Sequence, residues 1–247
     1  MNLMARVRWG AVAVLACAAL LWAGDKKERP KGPQEVDSGS FGVFVRGQRV
    51  VTETFSVQQE NGISVVKSQL KETDGSASSG QRSELQMTDG GELVRYEWSD
   101  GSGSLVVTPK DEFLLEKITT GASAKPAEQP FLMPNTSAIL DNNFFVHRAV
   151  LAWRYLAADC HAESSSLKCQ QGAVEFGVLV PQERTSMRVR MELVGREKVT
   201  IRGTERELLR LNLLGESFSW ALWVDDRDQF KLVRVLIADA KTEVVRD

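Results

Sequence analysis

The sequence predicts a mainly β protein, in which a curved antiparallel sheet or open β-barrel wraps around one central α-helix. Residues 41–120 and 172–247 contain about twelve short segments of apolar residues, many alternating with polar ones, separated by turns rich in Gly, Asn and Asp. Such a rhythm is typical of antiparallel β proteins. Between the two regions lies one long helix-like segment. A sheet with this many strands must curl or close to protect its edges.

The first two predicted strands are "FGVFVR" and "RVVTETFSV", which begin the β-rich region at Phe41. Gly47 and Gln48 lie between them, and glycine at the first loop position suits a type II′ hairpin. The apolar residues of the second strand share one face: Val51, Phe55 and Val57. The dipeptide Asn61-Gly62 then favours a tight turn before "ISVVKSQLK".

The middle of the chain continues as hairpins. A turn at Gly90 and Gly91 separates "SELQMT" from "ELVRYEWS", and residues 100–104 form the next turn before "LVVTP" and "EFLLEKIT". Residues 120–135 contain three prolines and little periodicity, so they are predicted to be a connector.

The helix is predicted near residues 140–158, within "ILDNNFFVHRAVLAWRYLAA". Asp141 can cap its beginning. Apolar residues form three stripes around this segment, so almost every side of the helix needs cover from the rest of the protein.

The C-terminal segments alternate most regularly, beginning with "AVEFGVLVP" and "MRVRMEL" and ending with "SFSWALWVDD", "FKLVRVLIA" and "KTEVVRD". One face of these strands is predicted to be core and the other solvated. Trp220 and Trp223 are an odd number of residues apart and therefore point to opposite faces. One of them must lie on the outer surface or under a second layer.

Residues 1–23 have the pattern of a secretory signal peptide: Arg6 and Arg8 precede an apolar run over residues 9–23. The run is shorter than the roughly 20 residues that span a membrane, which favours cleavage near Ala23 and export to the periplasm or cell envelope. Two alternatives stay open. Cys17 in "VLAC" lies in a lipobox-like sequence that would give a lipid-anchored or peripheral membrane protein, and the segment could remain as an uncleaved anchor.

The remaining chain divides into a flexible leader over residues 24–40, rich in Lys, Pro, Gly and Ser, and a single β-rich domain over residues 41–247. Cleavage at Ala23 leaves 29 basic and 33 acidic side chains, a net charge of about −4. Without a basic block, this charge excludes nucleic acid as a partner.

Cys160 and Cys169 are the only cysteines after Cys17. In an exported chain, two cysteines nine positions apart most simply form a structural disulfide. Free thiols and a local metal trap with His161 are the alternatives, although zinc requires four ligands.

Several segments are similar to the LolA and LolB family of lipoprotein carriers, which are half-open β-barrels, and to related periplasmic domains. They are the hairpins of residues 41–71, the tryptophan-bearing strand "SFSWALWVDD" and the following "FKLVRVLIA". The resemblance implies a concave apolar surface that holds acyl chains and is plugged or framed by the helix. It carries over no catalytic residue.

Aromatic and aliphatic side chains are the candidate lining of an apolar ligand pocket. The predicted pocket residues are Trp98, Phe144, Leu151, Phe176, Phe218 and Trp220.

We predict no catalytic residue, metal ligand or cofactor. His147 lies among apolar helix residues, where a packing role is the simpler interpretation, and His161 lies in the disulfide loop. Ser165 and Lys168 match the S-x-x-K spacing of some acyl-transfer enzymes, without their accompanying motifs. Calcium could bind to the acids of "DDRD", which are Asp225, Asp226 and Asp228, but a charged hairpin tip is the favoured interpretation.

The sequence therefore favours a non-enzymatic binding module of the cell envelope for a lipid-like or apolar ligand, including an acylated one. The alternative is a structural or protein-interaction component whose interior is filled and holds no ligand. Its protein partner is unknown.

Overall fold

Strands that follow each other along the chain pair with each other throughout most of the sheet. The computed structural model describes residues 32–73, 80–121, 125–163, 166–170 and 172–247. The first part of the chain consists of β1 (Gln34–Val45), β2 (Gln48–Glu60), β3 (Ile63–Glu72), β4 (Arg82–Thr88), β5 (Leu93–Ser99), β6 (Gly103–Lys110), β7 (Phe113–Thr120), β8 (Ala127–Phe131) and β9 (Ala138–Ile139). The helix α1 (Val146–Asp159) is followed by β10 (Cys160–Glu163), β11 (Ser166–Cys169), β12 (Val174–Val180), a short 3-10 turn η1 (Pro181–Glu183), β13 (Thr185–Ile201), β14 (Thr204–Leu214), β15 (Ser219–Asp225), β16 (Lys231–Ile237) and β17 (Thr242–Arg246).

Fifteen of these strands form one sheet in the order β8-β7-β6-β5-β4-β3-β2-β1-β17-β16-β15-β14-β13-β12-β9. It consists of two antiparallel meanders joined where β1 pairs with β17. The bidentate ion pair between Arg246 and Asp37 lies at this junction, with N–O distances of 2.6 and 3.0 Å. The prediction of a mainly β protein with a curved sheet is confirmed, and the sheet is not closed into a barrel.

The first strand begins earlier than the sequence indicated. The leader was expected to extend to residue 40, but β1 starts at Gln34 and pairs with β2 from Gln34 opposite Gln59. The polar composition misled the assignment because this end of β1 is largely solvent-exposed, with Asp37 as its buried residue. The predicted signal peptide over residues 1–23, Cys17 and the leader up to residue 31 lie outside the described residues.

Two hairpin turns show how backbone geometry follows from sequence. Asn61 and Gly62 have φ values of 51° and 82°, as expected for the predicted tight turn with two positive φ angles. The first hairpin differs from the prediction: its turn is Arg46 and Gly47, with φ values of 50° and 82°. Both central residues are therefore left-handed, which is type I′ rather than type II′ geometry.

The helix α1 begins at Val146, later than the predicted segment, and Asp141 does not cap it. The N-cap position is Phe145, whose side chain cannot accept a hydrogen bond. Asp141 instead accepts a hydrogen bond from the backbone N–H of Asn143 at 2.8 Å, which stabilises a turn before the helix. Nine of the 14 helix residues are buried, but its last turn reaches solvent at Ala157 and Ala158. The rest of the protein therefore covers most of the helix, as predicted, but it does not cover the last turn.

The main hydrophobic core contains side chains from α1 and from both meanders. A second, smaller cluster packs around Trp223, whereas Trp220 packs against the main core. The two tryptophans therefore serve different clusters, as their spacing predicts. Trp223 is only 3% exposed because Arg234 and Arg210 stack on its ring and its Nε1–H donates to Glu197 at 3.0 Å.

The two edges of the sheet are β8 and β9, which are joined by residues 132–137. The connector predicted over residues 120–135 contains β8, which pairs with β7. The strand β9 runs parallel to β12 and pairs with it at two residues, Val178 and Leu179. Among the described residues, most of the outer edge of β12 therefore has no neighbouring strand.

Cys160 and Cys169 form the predicted disulfide and lie opposite each other in the β10–β11 hairpin. This hairpin directly follows α1, so the disulfide closes the loop where the helix leaves the core. Within the described residues, no helix is long and apolar enough to cross a membrane.

We expect the double variant C160S/C169S to lose roughly 2–3 kcal/mol of unfolding free energy, because an open nine-residue loop gains conformational entropy in the unfolded chain. Urea denaturation followed by circular dichroism measures this difference. Reducing the unmodified protein before denaturation is the matched control and should give the same loss. An unchanged midpoint in both samples would contradict a stabilising role for the disulfide.

Candidate functional site

A buried polar cluster surrounds the beginning of α1. Its members come from both meanders, from the helix and from the segment that precedes the helix. They are Glu53, Ser68, Tyr96, Asp141, His147, Arg148 and Gln182. Five of the seven are almost inaccessible to solvent: Glu53, Tyr96, Asp141, His147 and Arg148.

Glu53 supplies the helix cap that Phe145 cannot. Its carboxylate accepts the backbone N–H of Phe145 at 2.6 Å and that of Val146 at 3.2 Å, and it also accepts the hydroxyl of Ser68 at 2.7 Å. The first N–H groups of a helix have no partner within the helix and carry a partial positive charge. A carboxylate from β2 thus satisfies the helix N-terminus across the core.

Asp141 organises the other half of the cluster. Its carboxylate accepts hydrogen bonds from the Tyr96 hydroxyl and the Gln182 side-chain amide. Its backbone N–H donates to Nδ1 of His147 at 3.3 Å. Its backbone carbonyl accepts from Arg148, whose Nη1 also donates to the carbonyl of Phe144 at 2.7 Å.

Arg148 is the buried cation of the cluster, and aromatic rings shield it. Its guanidinium lies 4.9 Å from the ring centre of Phe145 and 4.8 Å from that of Trp220. Burial lowers the pKa of Arg148 to about 10, while the charges of Asp141 and Glu53 oppose the decrease. The guanidinium therefore stays protonated at neutral pH.

The two carboxyl groups of the cluster bind protons more readily than in water. Burial raises the pKa of Glu53 to about 7, although the hydrogen bonds from Ser68, Phe145 and Val146 lower it. Burial also raises the pKa of Asp141. Desolvation is the larger effect in both cases because neither carboxyl contacts water.

His147 has the packing role that the sequence indicated. Burial lowers its pKa to about 3, with a smaller contribution from Arg148, so the imidazole is neutral. Its Nδ1 accepts a hydrogen bond, which leaves the proton on Nε2. The side chain is 1% exposed and reaches no groove that a substrate could enter.

Glu116 on β7 is a second buried acid. It is shielded from solvent, and neither carboxylate oxygen has a hydrogen-bond partner among the described residues. Burial raises its pKa to about 7, against the influence of Arg184. A buried carboxyl without partners favours its neutral form.

The sequence analysis missed Glu53 and Glu116, although the strand pattern contains a signal for both. Glu53 lies between Val51 and Phe55 in the alternation that defines the core face of β2. Glu116 shares its face of β7 with Leu114. An acid at a core position of an amphipathic strand must be buried, paired or neutral.

The predicted pocket residues do not line one common cavity. Phe144 and Leu151 are buried in the core. The ring centres of Phe218 and Trp220 lie 4.6 Å apart with the rings tilted by 31°, and both side chains are half-buried. Trp98 lines a groove of 850 Å³ across β2 to β6, whose lining combines polar and apolar side chains. Phe176 lines a separate groove of 700 Å³ beside β12.

The space between α1 and the sheet is very small. A cavity of 10 Å³ lies there, bordered by Leu151, His147 and Ile139. This volume is at most that of one water molecule. Of the six residues predicted to line a ligand pocket, Leu151 alone borders this cavity.

The remaining sequence candidates occupy separate places. Lys168 lies opposite His161 in the β10–β11 hairpin, and Ser165 lies outside the described residues. No group of three metal-ligating side chains occurs in the described part of the chain. Each acid of the "DDRD" turn contacts a different basic residue: Asp225 contacts Arg206, Asp226 contacts Arg196 and Asp228 contacts Lys231.

No family model, curated protein or solved structure matches the chain. The resemblance to the LolA and LolB carriers therefore stays a prediction, and function must be inferred from the geometry of the chain itself.

We expect the unfolding free energy to fall as the pH rises from about 4.5 to about 7. Glu53 has a higher pKa in the folded chain than in the unfolded chain, so its contribution is complete below pH 4.5 and is lost as it ionises. The effect is at most about 3 kcal/mol for this residue. Urea denaturation at several pH values measures the slope.

The variant E53Q should lose this part of the slope and keep the decline due to Glu116 and Asp141, whose pKa values burial also raises. The variant E128Q is the matched control, because Glu128 is a solvent-exposed acid paired with Lys117, and it should keep the full slope. Equal slopes for E53Q and the unmodified protein would contradict the assignment to Glu53.

Proposed function

We propose that this protein is a non-enzymatic binding module of the cell envelope, that α1 occupies the concave side of its sheet, and that it engages a partner protein through its surface. The observation that supports this proposal is the small size of the cavity between α1 and the sheet. Pockets that hold small ligands usually measure about 300–1,000 Å³, far more than the 10 Å³ between the helix and the sheet.

The attachments of α1 also support a permanent filling rather than a movable plug. Glu53 holds its beginning through two backbone N–H groups. Further along, the indole of Trp153 donates to the carbonyl of Phe230 at 2.9 Å, and the Tyr155 hydroxyl accepts the N–H of Leu193 at 2.9 Å. Moving the helix would leave these buried polar groups without partners, which is costly.

The location in the cell envelope rests on two supports. The predicted signal over residues 1–23 would direct the chain to export. The Cys160–Cys169 disulfide fits an oxidising compartment such as the periplasm.

A lipid-like ligand, the first hypothesis from sequence, would need α1 to leave the core. Native mass spectrometry of the full chain, purified from its own envelope, separates the two proposals. We expect the mass of the chain alone or of a complex with another protein. An additional lipid-sized mass that disappears on denaturation would contradict the filled interior and restore the lipid-like ligand.

The variant L151A is a control in which the substitution creates a cavity in the core. Leu151 is 1% exposed in the core, so its truncation should cost about 2–5 kcal/mol of unfolding free energy and leave an apolar void. Such a void binds xenon, which xenon NMR detects. We expect uptake by L151A and none by the unmodified chain, and equal uptake by both would mean that the interior already contains a cavity.

A further inference from the structure

The two edges of the large sheet are protected to different degrees. Strand β8 is short and contains Pro130, which has no N–H to offer a neighbouring strand. Glu128 on the same strand forms an ion pair with Lys117 at 2.8 Å. Proline and charge at an edge are devices that prevent further strand pairing. At the opposite edge, β12 contains no proline, although Glu175 forms an ion pair with Arg188 there.

Backbone hydrogen-bonding groups of β12 point away from the sheet at this open edge. The carbonyl of Leu179 accepts the N–H of Leu140 at 2.9 Å, so residue 179 directs its backbone groups towards β9. Alternate residues of a strand direct these groups to the same side. Glu175 and Gly177 therefore direct theirs outward too, where β9 no longer runs alongside, and both residues are exposed.

A groove of 700 Å³ follows this edge, between β12 and residues 132–137. Phe176 and Met187 provide apolar surface on the β12 side of the groove. Leu132 borders the other side and is 89% exposed, the most exposed large apolar side chain of the described residues. Apolar side chains beside strand backbone that has no partner among the described residues suit the two needs of an added β-strand.

The charges around the groove balance. Arg188 pairs with Glu175 at 3.1 Å. Arg154 donates to the carbonyl of Thr136 at 2.7 Å and lies over the ring of Phe176, and Glu216 also lines the groove. Two cations and two anions favour an occupant without net charge.

We infer that the edge of β12 at Glu175 and Gly177 is a docking site for an extended, uncharged segment of a partner protein, which adds to the sheet as a strand. The backbone of that segment bonds to Glu175 and Gly177, and apolar side chains at alternate positions pack against Phe176 and Leu132. This inference rests on the proposed function, because it identifies the surface through which the module binds its partner.

The test uses the full chain and the peptide acetyl-Thr-Val-Thr-Val-Thr-amide as a probe. NMR titration gives the affinity, and amide hydrogen exchange shows where the peptide binds. In the unmodified protein, the peptide should slow exchange at the amides of Glu175 and Gly177. In G177P the proline ring removes one outward N–H and obstructs the incoming strand. We therefore expect the peptide to bind G177P at least about tenfold more weakly than the unmodified protein.

The variant G177A is the matched control. A Cβ at this position would lie 3.5 Å from Oγ of Ser137 and 3.6 Å from Cε of Met133, which are ordinary contacts, and the N–H remains. G177A should bind like the unmodified protein. Unfolding free energies within about 1 kcal/mol of each other for the two variants would show that lost binding in G177P is not lost folding.

Three results would overturn the inference: no protection at either amide with millimolar peptide, equal affinity of G177P and G177A, or protection that grows with protein concentration without peptide. The last result would assign the edge to a second copy of the chain. A fourth result would also contradict strand addition. If octanoate shifted the same resonances as strongly as the peptide, the apolar side chains of the groove alone would determine binding. All four results leave the filled interior intact, since native mass spectrometry tests it separately.

Discussion

The buried beginning of α1 imposes the constraint on which the remaining structure depends. Its first N–H groups point into the core, and the helix has no capping side chain of its own. Glu53 reaches them from β2, and Arg148 one turn later balances the charge that burial makes expensive. Asp141, Tyr96 and Gln182 complete the cluster with groups from the other parts of the fold. The helix is therefore fixed to the sheet by polar contacts as well as by apolar packing.

This anchoring decides which surfaces can bind another molecule. Side chains of α1 and of both meanders pack together in the main core. The cavity between the helix and the sheet has a volume of 10 Å³. The larger spaces are grooves on the surface, and the one beside β12 combines apolar side chains with unpaired strand backbone. An exposed edge is normally a risk of aggregation. The β8 edge contains Pro130 whereas β12 contains no proline, a difference that fits the proposed use of the β12 edge by a partner.

The sequence predicted some features because short-range chemistry decides them. Strand alternation placed Trp220 and Trp223 on different faces, Asn61-Gly62 specified its turn, and the cysteine spacing predicted the disulfide. Other local predictions were incomplete. The turn at Arg46 and Gly47 is shifted by one residue from the predicted position, since several residue pairs around a glycine can adopt positive φ angles.

The sequence alone thus determined a mainly β chain, one apolar helix that requires cover and one disulfide, because each depends on residues close together in the chain. Only the tertiary structure decided that Glu53, 92 residues away from Phe145, caps the helix, and that Glu116 is buried with no hydrogen-bond partner among the described residues. It also decided that the predicted pocket residues lie in separate places: two in the core, two in a half-buried ring pair, and one in each of two surface grooves. A hydrophobic pattern shows which side chains face inward, but the volume left between them depends on packing among distant segments.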